Sequence, residues 1–369
     1  MLIGYRCKAQ RLLAKNSARQ LVPSKRPRHK GRDRGMGESK KGLEKLEADL
    51  VALKDPVQLS KYVALATASA DPSQPATSLM HVRLQENLAN VQSFARYLWS
   101  RTANYALSRR RRLEFEAEQA ALPPGDMSVS LSIADATRDA FLEFNEKYPH
   151  RSSEVGEVLA YCIAIEHLGA AQLAAKMSLK TNSNMPVHGL DGIHATVEGG
   201  WLVIYFLESK LSKSANGGAA DFAESVADFT SNKKQYRREY SIVRDLGNLD
   251  TLDEESRKVA LRYFDVMASP DDVPKRERYV GVVLYSDDKL FKGLPPVNNQ
   301  QQPGFHEKEL ATTYSRELEH HQKAAMKHLT DHGADPNKCL VYFVVVPDAD
   351  EVRELFYGAM GFVPKKVQP

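Results

Sequence analysis

The sequence predicts an α/β fold, a mixed central sheet flanked by helices, with a helical region ahead of it. Three observations predict it. Nearly continuous apolar runs of strand length occur at 201–207 (WLVIYFL), 279–285 (YVGVVLY) and 340–346 (LVYFVVV). Such runs suit central strands covered on both faces. Helical-period stretches lie between and around them, and strands interleaved with helices mark the α/β class. Finally, Glu198-Gly199-Gly200 turns a strand at 192–197 back into the run at 201–207, its glycines supplying positive φ.

Taken in order, residues 1–41 read as a basic tail without stable structure. From 5 to 41 only Asp33 and Glu38 oppose the lysines and arginines, and prolines and glycines interrupt them. Two readings stand side by side: a solvated extension, or an arm for phosphates. Residues 42–54 place Leu43, Leu46, Leu50 and Leu53 at helical spacing. Residues 84–121 read as a longer helical stretch containing Arg109-Arg110-Arg111-Arg112, followed by Glu114, Glu116 and Glu118. That pattern suits a solvated face with i,i+4 pairs better than a nucleic-acid clamp. Pro123-Pro124-Gly125 ends a helical N-terminal region, 42–125, and leaves 126–369 as the α/β domain. Residues 127–133 (MSVSLSI) alternate like a short strand. A long helix follows at 154–176, then a polar loop at 181–188 and the hairpin. After it come a helix at 219–230, mostly helical chain to about 267, the strand at 279–285 and a loop at 293–304. A helix at 307–332, the strand at 340–346 and a last helix at 350–360 complete the order.

Composition excludes several classes. The chain has 369 residues, 42% hydrophobic and 27% charged, with formal net charge +4, as expected of a soluble protein of one to three domains. Cys7, Cys162 and Cys339 are far apart and lack CxxC spacing, which argues against a disulfide framework or cysteine zinc site and for a reducing cytoplasm. No apolar run approaches the roughly 18 residues of a membrane span, and the N-terminus lacks the apolar core of a secretory signal.

The chemistry concentrates where Asp191 precedes the hairpin and Glu208-Ser209-Lys210 ends its second strand. Strand side chains alternate, so Glu208 and Lys210 share a face. Gly199-Gly200 falls midway between Asp191 and Glu208, so the pairing register should bring the two carboxylates together. Asp, hairpin and Glu-x-Lys form the pattern of the restriction-endonuclease-like, or PD-(D/E)xK, nuclease core. Two carboxylates suit Mg²⁺, with Mn²⁺ as its substitute, and the lysine can orient water or stabilise a phosphorane-like transition state. Glu157 is a third metal-ligand candidate, because Val155, Val158, Leu159, Ile163 and Ile165 give its helix apolar surroundings. Its alternative is a structural pair or cap. Lys176, Lys180 and Asn182 are candidates for nucleic-acid phosphate contacts, or else a solvated helix end. His188 and His194 flank the Asp and read as supporting groups. His328 and His332, at i,i+4, lack a third ligand and read as surface residues.

A larger block carries a resemblance. Glu157-Val-Leu-Ala-Tyr, Lys176-Met-Ser-Leu-Lys-Thr-Asn, Met185-Pro-Val-His-Gly-Leu-Asp191-Gly-Ile-His194 and Glu208-Ser-Lys210, with the late strands and PDADEVRELF, resemble the HamA family. These are the nuclease subunits of the Hachiman anti-phage system; AbpA of another phage-defence pair resembles the same family. The similarity covers about 130–360 and leaves out residues 1 to about 50. It implies a PD-(D/E)xK fold, metal-dependent cleavage of DNA, and a superfamily-2 helicase partner, HamB, that senses aberrant DNA and directs the nuclease. Carried over by motif, Asp191, Glu208 and Lys210 would be catalytic and Glu157 would complete the metal shell. Leu190 stands where the motif has its leading proline. The alternatives are a non-catalytic nuclease-like regulator that binds DNA or the helicase, and an RNA-cleaving toxin.

Overall fold

The computed structural model describes residues 32–69, 71, 73–145, 153–175, 177, 190–246, 248–265 and 273–361. The elements run α1 (Arg32–Leu53), β1 (Val63–Ser69), β2 (Ala76–Val82), β3 (Leu84–Gln85), β4 (Leu88–Ala89), α2 (Val91–Ser100), α3 (Thr102–Ala106), α4 (Arg109–Ala120), α5 (Ser128–Asn145), α6 (Glu154–Leu168), β5 (Ala171–Ala175), β6 (Gly192–Glu198), β7 (Trp201–Ser212), α7 (Ala215–Ser231), α8 (Lys233–Leu246), α9 (Glu254–Tyr263), β8 (Lys275–Ser286), α10 (Asp288–Lys292), α11 (Phe305–Ser315), α12 (Leu318–Asp331), β9 (Cys339–Val346) and α13 (Ala349–Ala359).

Seven strands form one mixed sheet in the order β1-β2-β9-β8-β7-β6-β5. β2, β9, β8 and β7 pair in parallel, while the hairpins β1–β2 and β6–β7 and the outer strand β5 pair antiparallel. The expected mixed α/β sheet is therefore present, with the apolar runs on β7, β8 and β9 at its centre. Leu202 to Leu207, Val280 to Tyr285 and Val341 to Val346 are buried because helices cover both faces. α6 lies on one face, where the Cβ that Gly156 lacks would stand 3.2 Å from Ser209. α7 lies on the other, where Gly218 meets Val283 and Gly281 meets the Phe222 ring. The β6–β7 turn holds Gly199 at φ 56° and Gly200 at φ 81°, the two positive values a tight hairpin needs. Among the described residues no helix is long and apolar enough to cross a membrane.

Several expectations are corrected. The N-terminal region is not only helical: β1 and β2 come from it and join the central sheet, so the boundary at 125 separates no independent layer. α1 already begins at Arg32, inside the segment assigned to the basic tail. The stretch at 84–121 holds the β3–β4 hairpin and then three helices. Asn90 caps α2, Leu107 turns extended, and Ser108 caps α4. Residues 127–133 are not a strand but the start of α5. Asp126 caps it by accepting from the Ser128 amide, and the buried Val129, Thr137 and Phe141 follow the helical period. The helix expected at 154–176 stops at Leu168, where Gly169 is left-handed (φ 61°), and Ala171–Ala175 form β5. Alanine-rich AQLAA favours helix locally, and pairing with β6 overrides that preference. The helix at 307–332 is two, broken at Arg316 and Glu317.

Candidate active site

The register of β6 and β7 fixes the site. Glu198 pairs with Trp201 and Gly192 with Leu207, and the Asp191 amide donates to the Leu207 carbonyl at 2.8 Å. Leu207 is also the residue opposite Gly192, so this bond is out of step with the ladder: Asp191 sits in a bulge at the base of the hairpin, beside Leu207 and Glu208, and not on a regular rung. On its other side β7 runs on beside β8, pairing Glu208 with Gly281 and Lys210 with Val283. Because Gly281 and Val283 pack on α7, Glu208 and Lys210 face α7 as well, while Ser209 faces α6.

The Lys210 ammonium donates to Glu208 Oε1 at 2.7 Å and to Ser225 Oγ, on α7, at 2.9 Å. Asp191 Oδ2 accepts two hydrogen bonds, from the Ser209 amide and the Ser209 hydroxyl, each at 2.7 Å. Both carboxylates are buried, with 6% of Asp191 and 8% of Glu208 exposed, so their charge is met by built-in donors rather than by bulk water.

Glu157 lies on α6, across the sheet from the α7 side that Glu208 and Lys210 face. Tyr105 of α3 donates to its Oε2 at 2.6 Å, and the same hydroxyl reaches the Asp191 carbonyl oxygen at 3.5 Å. Burial, and then the Glu157 carboxylate, hold the Tyr105 phenol far above its ordinary pKa, which keeps it a donor. Glu154, one turn earlier, accepts from Tyr357 of α13. Among the described residues no group of three or more His, Cys, Asp or Glu side chains is arranged to hold a metal ion. Asp191 and Glu208 have the donor chemistry of a hard divalent cation, the Asp191 carboxylate held by Ser209 and the Glu208 carboxylate by Lys210. Glu157 lies on the α6 side, where Ser209 holds the Asp191 carboxylate, and Tyr105 touches both Glu157 and the Asp191 backbone.

The other predicted residues separate cleanly. Lys176, Lys180, Asn182 and His188 lie outside the described residues. His194 is fully buried beside the Tyr161 ring, and neither of its nitrogens has a hydrogen-bond partner among the described residues; burial lowers its pKa to about 3. It is a neutral packing residue. His328 bonds Asn216, and His332 bonds the His328 carbonyl. The arginine run is committed to structure: Arg110 and Arg111 pair with Glu114, and Arg112 meets Asp55 at 2.6 Å, which also accepts from Tyr161. A cavity of about 500 Å³ opens at the C-terminal end of β8, lined by Ser214, Tyr285, Asp287 and His321; Asp191, Glu208 and Lys210 are not part of its wall.

Sequence reasoning missed Tyr105, Ser209 and Ser225. Nothing local marks Tyr105 or Ser225, whose partners are distant in sequence. Gly156 did carry a signal. A glycine inside an apolar helix costs helix stability, and its presence announces a close approach, here to Ser209.

A protein-family model described as HamA matches residues 60–360, most of the chain. No curated protein matches it. The chain belongs to the HamA family and is thereby a component of the Hachiman defence system, a setting that implies a defence-system partner.

Proposed function

We propose that this HamA-family chain is the nuclease effector of its defence system, a metal-dependent deoxyribonuclease held under the control of a partner helicase. One observation carries the reading: Glu208 and Lys210, joined at 2.7 Å, share a strand face at the base of the hairpin where Asp191 stands. Asp191 and Glu208 would hold Mg²⁺, which when bound supplies Lewis-acid stabilisation and a more acidic water. Ser209 fixes the Asp191 carboxylate through two hydrogen bonds. Ser225 and Glu208 fix the Lys210 ammonium, whose charge would meet the phosphodiester oxygens as negative charge builds on them. The leaving oxygen takes its proton from solvent.

The test is DNA degradation by the full chain with its helicase partner, ATP and Mg²⁺, comparing wild type with Glu208→Gln and Lys210→Ala. Each variant should lose at least about 100-fold in cleavage, the scale of removing a transition-state donor. Cutting at the wild-type rate by both would overturn the assignment.

A second reading is a nuclease-like scaffold that binds without cutting. The engagement of Glu157 by Tyr105, away from the Glu208 face, favours it. Mn²⁺ titration calorimetry separates the two. A binding event lost in Asp191→Asn supports the nuclease, and no binding in either protein supports the scaffold.

A further inference from the structure

α8 exposes Lys233, Lys234, Arg237 and Arg244, with Arg238 half-buried beside them. None of the five has an ion-pair or hydrogen-bond partner for its side chain among the described residues. Cations on α9 and α12 are paired along the helix: Lys258 meets Glu254, and Lys323 and Lys327 meet Glu319 and Asp331. On α8 the cations instead adjoin one another, Lys233 and Arg237 at i,i+4 and Lys234 with Arg237 and Arg238 at i,i+3 and i,i+4. Like charges at these spacings weaken a helix. A helix that carries that cost is one whose charge is directed outward.

The inner side of α8 is fixed. Tyr236 and Tyr240 both donate to Glu277 of β8, and the Lys275 ammonium stands 4.8 Å from the Tyr240 ring centre. Tyr240 also packs on Phe206 of β7, ring centres 6.2 Å apart. Phe206 precedes Glu208 by two residues on the same strand face, about 7 Å along the strand. The cationic helix therefore lies beside the candidate site, on the same side of the sheet. From Lys233 to Arg244 it extends roughly 16 Å, long enough to accompany several phosphates of one strand.

We propose that α8 is a rail for the phosphate backbone of duplex DNA, seating the substrate across Glu208 and Lys210. This rests on the nuclease reading and adds the surface that delivers the substrate.

The experiment measures binding of a labelled random-sequence duplex of about 30 base pairs to the full chain across a salt series. EDTA is present so that cutting does not enter. The variant combines Lys233→Gln, Lys234→Gln, Arg237→Gln and Arg244→Gln, exposed positions where glutamine keeps helix preference. A control combines Lys323→Gln and Lys327→Gln. Circular dichroism melting confirms that both fold. The α8 variant should bind about 10-fold or more weakly near 0.1 M salt, and its log–log salt slope should fall by up to about 3.6, roughly 0.9 for each of the lost phosphate contacts. The control should keep the wild-type slope. An unchanged slope in the α8 variant, an equal loss in the control, or no duplex binding by wild type at low salt overturns the rail. Loss of cutting in Lys210→Ala, measured separately, would leave the nuclease reading standing even then.

Discussion

His194 sits three positions after Asp191, is fully buried, and has no hydrogen-bond partner for either nitrogen among the described residues. Burial lowers its pKa to about 3, and burial also lowers His321 to about 4. In the unfolded chain both titrate near 6.5, so between that value and the folded one the unfolded state binds the extra proton. Their neutral forms stabilise the fold fully above pH 6.5, and that stability is lost as pH falls towards 3–4. Each group can contribute a slope of up to about 1.4 kcal/mol per pH unit in that window. His194→Leu should therefore flatten the dependence of urea-unfolding free energy on pH between 6.5 and 4. An unchanged slope would mean that His194 is not the group that titrates. At this scale the sequence was readable for alternation and turn position: Glu208 and Lys210 share a strand face, and Gly199 and Gly200 make the turn, while the bulge that seats Asp191 was not legible. It was not readable for Tyr105, because a phenol that finds a carboxylate fifty residues away leaves no local periodicity.

The contact of α7 with β8 decides whether Lys210 keeps its second anchor. Gly281 lets the Phe222 ring lie where a Cβ would be 2.8 Å away, and Gly218 meets Val283 beside it. Gly281→Ala should destabilise by about 1–3 kcal/mol through overpacking, and lower cleavage by moving Ser225 away from Lys210. Gly358→Ala on α13 meets nothing within 4 Å and should be neutral, or stabilise by up to about 0.5 kcal/mol. Thermal melting of the pair checks both, and equal melting temperatures would contradict the close approach. The misread elements share one cause. MSVSLSI alternates over too few residues to distinguish a strand from the first turns of α5, and AQLAA becomes β5 only because β6 lies beside it. Long apolar runs needed no such help, and β7, β8 and β9 were legible.

Across the whole molecule, β2 lies between β1 and β9, with every residue from Ala76 to His81 paired to β9. The first described third of the chain is thus part of the central sheet, and α1 is tied to α9 by Lys45 bridging Asp253 and Glu255 at 2.8 and 2.9 Å. A protein truncated to residues 126–369 would expose the edge of β9 and the apolar residues under α1 and α2. It should fail to give a cooperative melting transition, whereas removing residues 1–31 should leave melting unchanged. A cooperative 126–369 fragment would restore the two-part organisation that Pro123-Pro124-Gly125 suggested. The sequence could not reveal this join, because the partners of β2 lie more than two hundred residues further along the chain.

Beyond the Gly192–Leu207 rung, β7 keeps its ladder with β8, and on its other side the Ser209 amide hydrogen points at Asp191 Oδ2. That hydrogen is a resident spectroscopic probe. Its nitrogen-15 and proton shifts, and the rate at which it exchanges with deuterium, will follow whatever the carboxylate is doing. Protonation, a bound cation or an arriving phosphate would each be read from one backbone signal, without a label placed in the site.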